Sequence, residues 1–260
     1  VHPLRDPASL DRMGFKRVAS ATTRHQALEI WKSPVSCEFR VAGAVHAWWH
    51  QERFLTGLAW DNLAAATLLR PEAPPRSVLM LGLAGGTTLR TLRHLLPDTR
   101  LTAIDLDPEI VDLAHEHMHL GETNTEIHIA DAYDWVTHTD QCFDIVIDDC
   151  YLAGADDVYR PERHPEKLIG NLRPRIAPGG LLLANLVTGS GHRRLQSRMR
   201  AAFRRAFPQV RSVTTPDSLN ETLVGGDHIL TASSLQRWTS HFPSSKDQRY
   251  WDRIDVRLLS

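Results

Sequence analysis

The stretch that most limits the fold runs from residue 77 to 107 and reads SVLMLGLAGGTTLRTLRHLLPDTRLTAIDLD. Val78 to Leu81 is a short apolar run of the kind that forms a buried parallel strand. It leads into the small-residue turn Gly82-Leu83-Ala84-Gly85-Gly86-Thr87-Thr88. Leu89, Leu92, Leu95 and Leu96 then recur at helical spacing until Pro97 stops the pattern. A second strand, Leu101 to Ile104, closes on Asp105. Small residues let the backbone pass close beneath a ligand, and the helix start offers unpaired N–H groups and a positive dipole end. An acid ending the second strand suits the two hydroxyls of a ribose. The combination predicts a site for an adenosine-bearing molecule.

A dinucleotide fingerprint wants glycine at the first, third and sixth turn positions. Gly82, Ala84 and Thr87 stand there, so only the first position fits. A site for S-adenosylmethionine tolerates that departure, because no pyrophosphate must rest on the turn. The expected architecture is therefore a Rossmann-like class I methyltransferase fold.

The rest of the chain fits around this unit. Residues 1–23 are polar and read as a loose segment. Residues 24–70 read as a small β-hairpin domain (Ala27–Trp31, Cys37–Val41 and Val45–Trp49, with turn chemistry at Ser33-Pro34) followed by a helix over 55–69. The Rossmann-like domain spans 76–232, and 233–260 is an extension expected to pack outside the sheet. Further parallel strands are expected at 126–130, 143–147 and 181–186. A final pair at 210–213 and 221–230 supplies an antiparallel edge to a mostly parallel sheet.

With 260 residues, one large α/β domain plus a small appendage is the natural partition. A net charge of −1 excludes a strong field for nucleic acid or acidic membranes. Cys37, Cys142 and Cys150 show no paired spacing, which predicts a reducing compartment and neither disulfides nor a zinc site. No apolar run reaches membrane-spanning length and the first residues lack a signal-peptide core, so a cytoplasmic protein is expected. His115-Glu116-His117-Met118-His119 reads as a solvated helix end, since His117 leaves the face that His115 and His119 share; no metal is expected. The arginines between Arg193 and Arg205 read as a wet helix face.

Three acids, Asp105, Asp131 and Asp148, fall at the carboxyl ends of predicted parallel strands, the edge where open α/β sheets bind ligands. Asp105 with Leu106 is expected at the ribose. Asp131 with Ala132 is expected at the adenine amino group, although Asp131 also suits a helix N-cap. Asp148 is expected to face the sulfonium and the acceptor. The turn residues Gly82, Ala84, Gly85, Gly86 and Thr87 complete the cofactor cradle.

The pieces LGLAGGTTLR, AIDLDPEIVDLA, IADAYDWV, FDIVIDD and RIAPGGLLL resemble the spermidine synthase family over roughly residues 43–186. The resemblance implies a Rossmann-like domain behind a small N-terminal β domain, a dimer, and Asp148 as the proton acceptor. Departures accompany it. The family's turn carries an acid that holds the amine of decarboxylated S-adenosylmethionine, and Gly85 replaces it. The family's second acid after the fourth strand is Tyr151 here, and its proline is Leu152. Its tyrosine before the turn falls on Trp60, and a glutamine falls near His46.

The missing acid at Gly85 argues for ordinary S-adenosylmethionine, because a methionyl carboxylate meets no repulsion there. The expected function is thus S-adenosylmethionine-dependent methyl transfer to a small amine-bearing or other heteroatom acceptor. The alternatives are aminopropyl transfer from decarboxylated S-adenosylmethionine, or aminocarboxypropyl transfer in the same cleft. A non-catalytic, degenerate family member is a third reading. Methyl transfer needs alignment and removal of one proton, with Asp148 and Tyr151 as the catalytic candidates. Asp149, Tyr151 and Asp156, in an acidic and aromatic loop with Asp157 and Tyr159, are expected to hold a cationic amine by charge and cation–π contact. His46, Trp49 and Trp60 are expected to wall the other side, with Trp48 beside them.

Overall fold

The computed structural model describes residues 14–71, 74–154, 158–162, 164–189 and 191–259. Four antiparallel strands come first: β1 (Lys16–Thr22), β2 (Ala27–Ser33), β3 (Ser36–Val41) and β4 (Ala44–His50). Helix α1 (Ala59–Thr67) leads from them into β5 (Ser77–Leu81). From there strand and helix alternate: α2 (Thr87–Leu95), β6 (Arg100–Asp105), α3 (Pro108–His117), β7 (Thr125–Ile129), α4 (Ala132–His138) and β8 (Phe143–Asp148). A short hairpin follows, β9 (Leu152–Ala153) with β10 (Val158–Tyr159), then α5 (Pro165–Leu172), the long β11 (Ile176–Val187) and α6 (Arg193–Ala206). The chain closes with β12 (Gln209–Thr214), β13 (Asn220–Gly226), α7 (Ser245–Trp251) and β14 (Asp255–Leu258).

The large sheet has eight strands in the order β14-β12-β13-β11-β8-β5-β6-β7. From β11 to β7 every neighbouring pair is parallel, and β13 runs antiparallel to both β11 and β12. This is the expected class: a Rossmann-like, mostly parallel sheet with an antiparallel edge, behind an N-terminal antiparallel sheet. The chain leaves β5 toward β6 on one side and later returns to β8 on the other. The glycine turn after β5 therefore sits at the topological switch point, where an open sheet splays its loops and leaves a crevice.

Two differences concern the ends. Residues 16–22, expected to be loose, form β1 and pair with β2 over Lys16↔Lys32 to Thr22↔Ala27. The C-terminal extension does not lie wholly outside the sheet: β14 adds to its edge, pairing with β12 from Arg211↔Leu258 to Thr214↔Asp255. Both are polar strands at sheet edges, where partner hydrogen bonds outweigh a weak apolar pattern.

Apolar side chains pack on each face of the large sheet. One cluster joins the sheet's Val78, Met80, Ile145 and Ile147 to α1, to α2 and to Leu28, Ile30 and Phe39 of the N-terminal sheet. The small sheet thus shares a continuous core with the Rossmann-like unit. The other cluster joins Leu79, Leu81, Val146 and Leu182 to α5 and α6. Among the described residues no helix is long and apolar enough to cross a membrane.

Candidate functional site

A cavity of about 170 Å³ opens at the carboxyl edge of the parallel strands, between the glycine turn and the N-terminal sheet. Its walls include Gly82, Leu83 and Ala84 of the turn, Asp105 to Asp107 after β6, Asp149 and Tyr151 after β8, and His46 and Trp60 from the N-terminal side.

Gly82 and Ala84 both have left-handed backbone, with φ of +78° and +46°. At Gly82 the glycine is needed twice over. A Cβ there would sit 2.7 Å from the carbonyl oxygen of Asp149, so any side chain would push the β5 and β8 exits apart. The turn is then held from the next strand: Oδ2 of Asp105 accepts from the amides of Leu83 (2.9 Å) and Ala84 (3.2 Å), and Oδ1 accepts from the amide of Asp107 (3.0 Å). Burial raises the Asp105 carboxyl above its ordinary value, and these three amides oppose that rise. Asp107 caps α3 through the amides of Glu109 and Ile110 and also accepts the hydroxyl of Thr23, which ties the N-terminal sheet to the cavity's edge.

Asp148 and Asp149 have opposite fates. Side chains alternate along a strand, so Asp148 follows Val146 onto the face that α4 covers. There it is fully buried, ion-paired with Arg160 and bonded by the hydroxyl of Tyr133 at 3.0 Å. It does not line the cavity, and its assignment as base and cofactor contact is corrected on that ground. Asp149 lines the cavity. Burial pushes its carboxyl up to about 7, against the opposing hydrogen bond from Nδ2 of Asn185 at 2.7 Å. Asn220 in turn donates to Oδ1 of Asn185 at 3.1 Å, which fixes that amide's orientation. Sequence reasoning missed Asn185 and Asn220. The available signal was Asn185 itself, a polar residue in the apolar run of β11.

The remaining candidates divide. Tyr151 lines the cavity, but its hydroxyl donates to the Asn185 carbonyl (2.9 Å) and accepts from the Val187 amide (3.1 Å). It braces β11 and is not placed as a proton carrier. Leu106, His46 and Trp60 line the cavity, and burial pushes the His46 imidazole down to about 4, so it is neutral. Gly85, Gly86 and Thr87 do not line it. A Cβ at Gly85 would meet Ala47 Cβ at 2.5 Å, and one at Gly86 would meet Leu120 at 2.5 Å. Thr87 spends its hydroxyl on the backbone of Trp48, accepting from its N–H at 2.8 Å and donating to its carbonyl at 3.0 Å. These three residues clasp the N-terminal sheet and pack the turn. Trp49 also turns away from the cavity and stacks on His119, with ring centroids 4.4 Å apart. Asp131 caps α4 through the amides of Tyr133 and Asp134 and stands outside the cavity walls, while Ala132 is buried in the second core. Asp156, with Asp157, lies outside the described residues.

Comparison with known proteins places this geometry. Residues 78–180 match a family described as a methyltransferase domain. A "Probable polyamine aminopropyl transferase" of Bifidobacterium longum is 26% identical over 137 residues, 52% of this chain and 29% of its own length. A "Polyamine aminopropyltransferase" of a Synechococcus species is 32% identical over 104 residues, 38% of this chain and 33% of its own length. The chain thus spans about a third of the length of these curated relatives. The crystal structure of a probable spermidine synthase from Corynebacterium glutamicum superposes with a TM-score of 0.74 at 16% identity, covering 92% of this chain and 90% of that one. The chain has a spermidine synthase-like methyltransferase fold. Within this spermidine synthase-like fold, Gly85 takes on a different meaning. The methyl β-carbon of Ala47 fills the space that a side chain at position 85 would need. The absence of a side chain at position 85 is therefore coupled to close docking of β4, and it says less about the donor's charge than the sequence suggested.

Proposed function

We propose that this chain transfers an alkyl group from an S-adenosyl sulfonium donor to an amine, with aminopropyl transfer from decarboxylated S-adenosylmethionine as the best-supported reaction. The observation that carries this reading is the charge of the cavity. Asp105, Asp107 and Asp149 line it, and its described lining contains no lysine or arginine. A methionyl carboxylate would meet three acids and, among the described lining, no lysine or arginine, at a cost set by like charges in a confined cleft. A donor carrying an ammonium, and an acceptor that is itself an amine, match that field. The names of the curated relatives agree with this preference.

The residues fit such a donor. Asp105 stands at the end of β6 for the ribose, and the open backbone of Gly82 to Ala84 lets the nucleoside approach. When bound, the donor supplies an activated carbon whose bond to sulfur breaks, with the electron pair passing to sulfur, as the amine nitrogen forms its new bond. Asp149 removes the ammonium proton so that the nitrogen lone pair is free, and passes that proton to water. A carboxyl poised at about 7 is matched to this task near neutral pH. The neutral His46 and the ring of Trp60 shield the opposite wall without adding positive charge.

Methyl transfer from ordinary S-adenosylmethionine is the second reading, and the methyltransferase-domain match favours it. Incubating the chain with a linear diamine and each donor in turn, and weighing the product, separates methyl, aminopropyl and aminocarboxypropyl transfer. An aminopropylated diamine supports the first reading; a methylated one replaces it with the second.

A further inference from the structure

A second cavity, about 250 Å³, lies on the other side of Trp60. Val45, Leu58 and Trp60 line both cavities and form the partition between them. The charges on its two sides are opposite. Among the described residues three carboxylates line the first cavity, whereas the second is lined by Arg40, Arg53 and Lys246 with Glu38 as its one acid.

The pairing of these groups decides what the second cavity can hold. Arg40 and Glu38 neutralise one another in a buried ion pair, with the Arg40 guanidinium 4.6 Å from the ring centre of Trp31. Arg53 and Lys246 come from separate segments, and among the described residues neither has a carboxylate at ion-pair distance. Each lies instead over an aromatic ring: Arg53 is 5.0 Å from the centre of Trp48, and Lys246 is 5.6 Å from that of Tyr250. Asp247, beside Lys246 in sequence, is buried, accepts the amide of Phe54 at 2.7 Å and feels the charge of Arg53, while Glu52, beside Arg53, is exposed. The positive field reaches His50 in the wall. Burial chiefly holds its imidazole below the ordinary range; Arg53, Arg90 and Lys246 act in the same direction, and Glu52 opposes them.

We infer that this cavity is a binding site for a small planar aromatic anion, its anionic group met by Arg53 and Lys246 and its ring by Trp48, Trp60 and Tyr250. Two cations without a carboxylate at ion-pair distance among the described residues attract the anion. Aromatic walls take an arene by offset or edge contacts, and 250 Å³ holds a single substituted ring. The same cations exclude a polyamine, so this cavity is not an extension of the acceptor channel. The site does not depend on the reaction proposed for the first cavity.

Phenyl phosphate is a suitable probe, titrated into the full chain while tryptophan fluorescence is followed. The expected result is a saturable change whose midpoint is the same with and without saturating S-adenosylhomocysteine. Inorganic phosphate and benzylamine, which each lack half of the recognised chemistry, should bind at least about ten-fold more weakly. The double variant Arg53→Gln, Lys246→Gln should lose at least about ten-fold in affinity for phenyl phosphate while keeping its melting temperature. If the double variant does not fold, Lys246→Gln alone, at an exposed position, should weaken binding measurably. The proposal is overturned by a response that does not saturate, by competition with S-adenosylhomocysteine, by benzylamine or inorganic phosphate binding as well as phenyl phosphate, or by a folded variant with unchanged affinity.

Discussion

Asp148 and Asp149 are adjacent in sequence and serve opposite sides of the same sheet. The first is locked in a buried ion pair with Arg160, and the second lines the cavity with Asn185 as its donor. Replacing each by asparagine should therefore give two different phenotypes. Asp149→Asn should slow transfer by about 10²–10⁴-fold, the range for loss of a general base, while leaving the unfolding midpoint in urea nearly unchanged. Asp148→Asn leaves the Arg160 guanidinium buried without its counter-charge. It should cost about 3–5 kcal/mol in urea unfolding, as broken buried pairs do.

The pH profile should follow Asp149. Its carboxyl is raised to about 7 by burial, so the protonated, inactive form dominates below neutrality. Transfer should rise through pH 7 and level off above it. The Asn185 hydrogen bond lowers this carboxyl, so Asn185→Ala should move the midpoint of the rise to higher pH. An unshifted midpoint would remove Asn185 from the positioning role.

Asp61 offers a stability counterpart. It is fully buried, accepts from Thr56 and Gly57, and is raised from 3.8 to about 7 by desolvation. Between those values the folded chain holds a proton that the unfolded chain has released. The unfolded state thus binds fewer protons, and this group's contribution to stability falls as pH rises through that window. His46, pushed down to about 4, acts in the opposite sense, so the effect is best read by difference. Asp61→Asn should be more destabilising at pH 5 than at pH 8 in paired urea titrations.

Placing an acid at position 85 should fail. A Cβ at Gly85 meets Ala47 at 2.5 Å and Met118 at 3.0 Å. Gly85→Asp should lower the melting temperature, at a cost of about 1–3 kcal/mol or more for overpacking, without tightening the decarboxylated donor. Tighter binding in a stable Gly85→Asp variant would mean that the side chain reaches the cavity after all.

The glycine turn, Asp105 and the alternation of strand and helix were legible because each rests on local chemistry: a close backbone approach, a strand-end acid, a helical apolar stripe. The face of Asp148 was not. Ile145, Val146 and Ile147 are all buried, so a strand covered on both sides carries no polar alternation to show which neighbour points where. Tertiary pairing decided it, through Tyr133 from α4 and Arg160 from beyond the β9–β10 hairpin. Trp49 was misread for a related reason. Its partner His119 is distant in sequence, and nothing in the run Trp48-Trp49 says which ring faces the cavity. Strands β1 and β14 are polar edge strands, visible only once their neighbours are in place.

The most direct measurement is a competition in which equal concentrations of S-adenosylmethionine and its decarboxylated form are offered to the chain with 1,4-diaminobutane, and the products are weighed. A cleft lined by Asp105, Asp107 and Asp149, with no lysine or arginine among its described lining, predicts that the decarboxylated donor is consumed and that the diamine gains an aminopropyl group, with Asp149→Asn slower by about 10²–10⁴-fold. Consumption of ordinary S-adenosylmethionine alone, with a methylated product, would contradict it.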